Sequence, residues 1–193
     1  MRVGPPPCQD RHIVRRFIRS CHQRMGIDSQ MRMLDSLKGL SHTPCGGALT
    51  VGTACSGTDC VVLILANLQA FWEANYNIKV RFEHVFSAEV EPSKRAWLMS
   101  QHSPQCVFER IEDLVAGMAK DSLTQNVVPI SNVQVFIYSA ECDNDSGLSR
   151  KRNLAAYQTE SHTKSGSTMR AGLDYVRIAT PPMVCNENVR SIV

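Results

Sequence analysis

The stretch "ALTVGTACSGTDC" at residues 48–60 decides the fold. Its first half reads as a strand, "ACSGTDC" as a turn of small residues, and a helical stretch runs on from Thr58 to about Tyr76. The alternation continues outward from there. "FEHVFSAE" leads into a helix opening at "EPSKRAWLMS", with Pro92 near its first turn. "CVFE" leads into the helix-like "IEDLVAGMAK", and "VQVFIYSA" runs into the polar stretch "SAECDNDSGLSRKRN" at 139–153. "GSTMRAGLDYVRIAT" places Met169, Leu173 and Val176 on one helical face, and "PMVC" supplies a last short strand. Strands alternating with helices predict an α/β domain, a parallel sheet covered by helices.

With 193 residues the chain is long enough for one domain with a real core. An apolar fraction of 43% with 20% charged residues is that of a globular protein, and a net charge of +3 permits a polyanionic partner without requiring one. The apolar run "VVLILANLQAFW" at 61–72 is shorter than a bilayer span and carries Asn and Gln, so no membrane contact is expected. Eight cysteines without a CxxC pair argue against a zinc site and against a secreted disulfide framework, so no metal is expected. Residues 1–47 form a basic N-terminal segment, helical or partly disordered, that yields to the folded core near Pro44–Gly47. Its Arg-rich start allows an organellar targeting peptide, but the periodicity of "RHIVRRFIRSCHQRM" favours a basic amphipathic helix.

In an open parallel sheet, ligands bind beyond the carboxyl ends of the strands, so the residues just past each strand matter most. After the first comes the Gly turn, where backbone can approach a ligand closely. After the second comes Glu89, an acid in the place where a ribose hydroxyl pair is often held. Cys142 lies beyond the fourth strand and Glu187 beyond the fifth. Two loops suited to a nucleoside and two carrying a thiol and a carboxylate therefore converge on one edge.

Taken in order, "ACSGTDC", "FSAEVEPSKRAW", "AECDNDS" and "NENV" resemble, over residues 48–189, the first half of the cytosine-5 DNA methyltransferases. The resemblance implies a partial catalytic domain over 48–193, a Rossmann-like fold that uses S-adenosylmethionine, with strand order 3-2-1-4-5. It implies methyl transfer to carbon 5 of cytosine, a DNA partner, and a nuclear or nucleoid-associated location, with an organellar one open. Cys55, Ser56, Gly57 and Thr58 fall in the cofactor turn, Glu89 at the ribose acid, Val90 against adenine, and Ile111 in the third loop. Two positions depart from the pattern: Cys55 stands where an aromatic is common, and Arg110 where an Asp usually meets the adenine amino group.

The same resemblance makes Cys142 the nucleophile, Glu187 the acid at ring nitrogen 3, and Asn188 the residue that holds the acid's loop. Arg150, Lys151 and Arg152 fall where phosphates beside the loop would be met. Glu141, Asp143 and Asp145 crowd the thiol with negative charge, which opposes its ionisation. The family's later strands and target-recognition region have no counterpart here, which leaves three expectations. A second polypeptide supplies that half, the chain is a fragment, or it is a degenerate copy serving as a non-catalytic cofactor- or DNA-binding module. Without that half the fifth strand is expected to be an exposed edge, which invites pairing with another chain.

Overall fold

The computed structural model describes residues 11–41, 47–55, 57–139 and 164–187. Helices α1 (Arg11–Arg24) and α2 (Ile27–Ser41) precede β1 (Ala48–Ala54). Then come α3 (Cys60–Tyr76), β2 (Arg81–Ala88), α4 (Pro92–Gln101), β3 (Cys106–Phe108) and a 3-10 turn at Ile111–Val115. The short strands β4 (Met118–Lys120) and β5 (Val127–Pro129) lead to β6 (Val135–Ser139), α5 (Lys164–Ala179) and β7 (Met183–Glu187). Five strands form a parallel sheet in the order β3-β2-β1-β6-β7. With β6 and β7 as fourth and fifth, this is the order that the resemblance implies.

"IEDLVAGMAK" departs from the expected helix. Gly117, at φ +75°, ends the 3-10 turn in a left-handed conformation, and Met118–Lys120 then pairs antiparallel with Val127–Pro129 as a hairpin. At α4 the sequence reading holds, because Pro92 occupies the first helical turn, where its fixed φ suits the helix and its missing N–H costs nothing.

The chain divides into two compact units, Met1–Leu49 with Asp59–Glu83 and Thr50–Thr58 with His84–Val193. In the first, Leu34, Trp72, Ile78 and Val80 are buried, with Leu68, Phe71 and Phe82 packed against them. Helix α1 turns Val14 and Ile18 inward, and the Tyr76 hydroxyl lies 3.0 Å from Nε2 of His22.

The second unit is built on aromatic rings. Phe136 and Tyr175 have ring centroids 4.5 Å apart, and Phe86 meets Tyr175 edge-on at 5.8 Å. Burial of Tyr175 pushes its hydroxyl up to about 12, and that hydroxyl donates to the Ser131 carbonyl at 3.0 Å. On α5 the buried stripe is Ala171, Tyr175 and Ala179, four residues apart, while Leu173 is 44% exposed. Of the expected face, Met169 and Val176 pack against this core, whereas Leu173 does not. Small residues let the helix backbone come down on β6: a Cβ at Gly172 would stand 2.6 Å from Cδ2 of the buried Tyr138. The last four residues of β1 and of β2 are all buried, so both strands emerge at one edge of the sheet from a rigid base.

Candidate functional site

At that edge the chain leaves β1 through Cys55, at φ +53°, and Gly57, at φ +67°. A side chain at Gly57 would be strained by this backbone, and a Cβ built there meets no atom within 4 Å, so the turn is open on that side. The Cys55 N–H donates to the Ala88 carbonyl at 2.8 Å, which ties the turn to the end of β2. The first residue after β2 is Glu89.

Glu89 is the centre of the arrangement. Only 5% exposed, its carboxylate accepts from the Gly57 N–H on Oε2 at 3.1 Å and from the Glu91 N–H on Oε1 at 2.9 Å. Its own N–H donates to the Phe108 carbonyl at the end of β3, at 3.1 Å. The expected ribose acid and the expected cofactor turn are therefore brought into direct contact. A carboxylate has about four acceptor directions, so the two backbone donors leave room for further hydroxyl groups.

Arg95 fixes this loop from α4, and the sequence reading did not single it out. Its Nη1 donates to the carbonyls of Glu89 at 2.8 Å and Val90 at 2.7 Å, and its Nη2 lies 3.9 Å from the Glu109 carboxylate. The signal for it is its place one turn into a helix, since helical side chains lean back toward the helix start. Val90 is 60% exposed and free to meet a ligand. Ile111 is 2% exposed and packs into the aromatic core, so it supports the third loop from beneath. Thr58 offers its carbonyl to Nε2 of His102 at 2.9 Å.

On the other side of β1, Glu187 ends β7 in register with Ser139 at the end of β6. The Ser139 hydroxyl donates to Oε2 of Glu187 at 2.7 Å. The acid therefore stands beside the strand end that precedes Cys142 by three residues. Cys142, Asn188, Ser56 and the run Arg150–Arg152 lie outside the described residues. Among the described residues no cluster of three His, Cys, Asp or Glu side chains is placed to hold a metal ion, and no helix is long and apolar enough to cross a membrane.

Two polar groups, the buried Asp121 and the partly buried His84, hold the strands that carry these loops. Asp121 accepts four hydrogen bonds, from the N–H of Val107 at 2.8 Å, of Leu123 at 3.1 Å and of Thr124 at 3.1 Å, and from the Thr124 hydroxyl at 2.8 Å. Burial alone would raise its carboxyl, but these donors outweigh it and hold the group below the usual range. Its charge, after burial, pushes the Cys106 thiol up. Between β1 and β2, Nε2 of His84 lies 3.0 Å from the Ser87 hydroxyl and 3.3 Å from that of Thr53. Burial, then the neighbouring His102, drives the His84 imidazole down to about 4, so it is neutral at pH 7.

No protein-family model matches the chain. Two curated relatives do, both named DNA (cytosine-5-)-methyltransferase DMT5. The one from Cryptococcus neoformans var. grubii is 31% identical over 144 residues, 75% of this chain. That from Verticillium dahliae is 31% identical over 134 residues, 63% of this chain. The chain spans about 6% of the length of each. With the strand order and the Gly57–Glu89 contact on one sheet edge, these likenesses place the chain in the cytosine-5 DNA methyltransferase family.

Proposed function

We propose that this chain carries the cofactor pocket and the catalytic loops of an enzyme that methylates carbon 5 of cytosine in DNA. The observation that carries the reading is the buried Glu89 carboxylate, held by the Gly57 N–H at the carboxyl edge of a parallel sheet. The residues present fit S-adenosylmethionine on its ribose side: an acid with unused acceptor directions lies under an open turn, beside the exposed Val90. On the adenine side Arg110 replaces an acid and Cys55 an aromatic, which predicts weak binding. Bound there, S-adenosylmethionine supplies the electrophilic methyl group.

The protein's part is to make carbon 5 nucleophilic. The Cys142 thiolate adds to carbon 6 of the ring, and the double bond's electron pair moves to carbon 5. Glu187 binds ring nitrogen 3 and offsets the charge that builds there, with Ser139 holding its carboxylate by the 2.7 Å hydrogen bond and Asn188 holding its loop. After transfer the carbon 5 proton leaves, the double bond reforms and the thiolate departs. A stacked base hides these atoms, so the cytosine must be flipped out, with Arg150–Arg152 on the neighbouring phosphates. The site of action is then chromatin or a nucleoid. β7 lies at the sheet edge with all five residues exposed, and a further strand, from the same polypeptide or another, would pair there.

The test uses duplex DNA carrying 5-fluorocytosine, whose carbon 5 bears fluorine in place of the proton that elimination must remove, with S-adenosylmethionine present. A covalent adduct in the wild type that is absent in Cys142→Ala is the expected result. An adduct of equal yield in both removes Cys142 from its role. No adduct with wild type, together with measurable cofactor or DNA binding, favours a non-catalytic binding module.

A further inference from the structure

We infer that the arginine face of α1 is a contact surface for the phosphate backbone of duplex DNA, separate from the residues that act on the base. The inference rests on the DNA substrate proposed above, but it concerns a part of the chain that this chemistry does not use. Helix α1 runs from Arg11 to Arg24 with five arginines and no acidic residue. At 1.5 Å per residue it is about 21 Å long. Arg15, Arg16 and Arg19 are exposed and fall within one arc of roughly 100°. Among the described residues none of the three has an ion-pair or hydrogen-bond partner.

The neighbouring helix does not neutralise this face. Arg15 and Arg19, with Phe71, Asn67 and Asn75 of α3, line a cavity of about 300 Å³, and the one acid of α3, Glu73, is not among its walls. The amide nitrogens of Asn67 and Asn75 are already donated to the carbonyls of Leu63 at 2.8 Å and Phe71 at 2.7 Å. Recognition at this recess therefore falls to the guanidinium groups, which match phosphate oxygens in geometry and charge. A lipid surface is a poorer occupant. Val14 and Ile18 of α1 are buried at 6% and 5% exposure, and Phe17, 62% exposed, is too little apolar surface for a surface-lying helix, which needs a whole apolar face free. A row of arginines without partners among the described residues suits a regular line of phosphates, where each neutralised phosphate releases counterions.

The experiment measures binding of the full chain to a short fluorescent duplex across a salt series, for wild type, Arg15→Gln/Arg16→Gln/Arg19→Gln, and a charge-keeping Arg15→Lys/Arg16→Lys/Arg19→Lys. The glutamine variant is expected to lose at least about tenfold in affinity near 0.1 M salt, and its slope of log affinity against log salt should fall by about 2.7, at about 0.9 per phosphate. The lysine variant should keep the slope. An unchanged slope in the glutamine variant, a slope lost equally in both variants, or binding of wild type to anionic lipid vesicles but not to duplex overturns the inference. Cofactor binding and adduct formation are read on the same samples. Adducts with an unaltered slope sink only this surface, whereas a slope change without adducts sinks only the proposed chemistry.

Discussion

Replacing Glu89 by Gln changes one oxygen into an NH2 group and little else, which isolates what the carboxylate does. In the wild type each oxygen accepts one backbone N–H, from Gly57 at 3.1 Å and from Glu91 at 2.9 Å, in a residue 5% exposed. Gln keeps one of these bonds and turns a donor against the other N–H. A charge-assisted hydrogen bond contributes roughly 1.5 to 3 kcal/mol, and one of these two partly buried bonds is lost, so folding stability should drop by about 2 kcal/mol. If the same carboxylate holds a ribose, affinity for S-adenosylmethionine falls in addition by about ten- to a hundredfold. Urea denaturation measures the first effect and calorimetry the second. A midpoint within error of wild type would show that the Gly57 turn does not depend on Glu89. Equal cofactor affinity in the two proteins would take Glu89 out of the pocket, whatever its effect on stability.

Asp121→Ala removes the acceptor of four hydrogen bonds and should cost about 3 kcal/mol in urea denaturation, with the slope of the transition unchanged. Because its folded pKa lies below the unfolded 3.8, the wild-type contribution is full above that value and is lost as the pH falls through the lower folded value. His84 acts at higher pH: the unfolded imidazole takes up a proton near 6.5 and the folded one only near 4, so acidification between these values removes on the order of 3 kcal/mol. Urea midpoints taken from pH 7 downward should show this loss, and His84→Gln should flatten it. Gly172→Ala forces a methyl to within 2.6 Å of the Tyr138 ring, and the strain should exceed the gain in helix propensity by about 1 to 2 kcal/mol, seen as a lowered Tm.

The alternation of strands and helices and the succession of polar loops were legible in the sequence, because each is a local pattern read along the chain, whereas the strand order came from the resemblance alone. Apolar runs of strand length, Pro92 at a helix start and a small-residue turn need no partner to declare themselves. So was the resemblance that named Glu89, Gly57 and Glu187. The hairpin at Met118–Pro129 was not, since Gly117 breaks the helix only in concert with a strand nine residues on that accepts the pairing. On α5 the expected Met169 and Val176 do meet the core, but Leu173 does not, for a related reason: the helix sits with Gly172 against Tyr138 and buries Tyr175. Asp121 and His84 carried no distinctive spacing, and their roles exist only because folding brings amides and hydroxyls from neighbouring strands around them. Sequence by itself determined which groups stand at the ends of the strands. Tertiary structure alone decided that the Glu89 carboxylate closes on the Gly57 amide and that Ser139 reaches Glu187, because hydrogen bonds between residues 32 and 48 positions apart depend on sheet register rather than on any local preference.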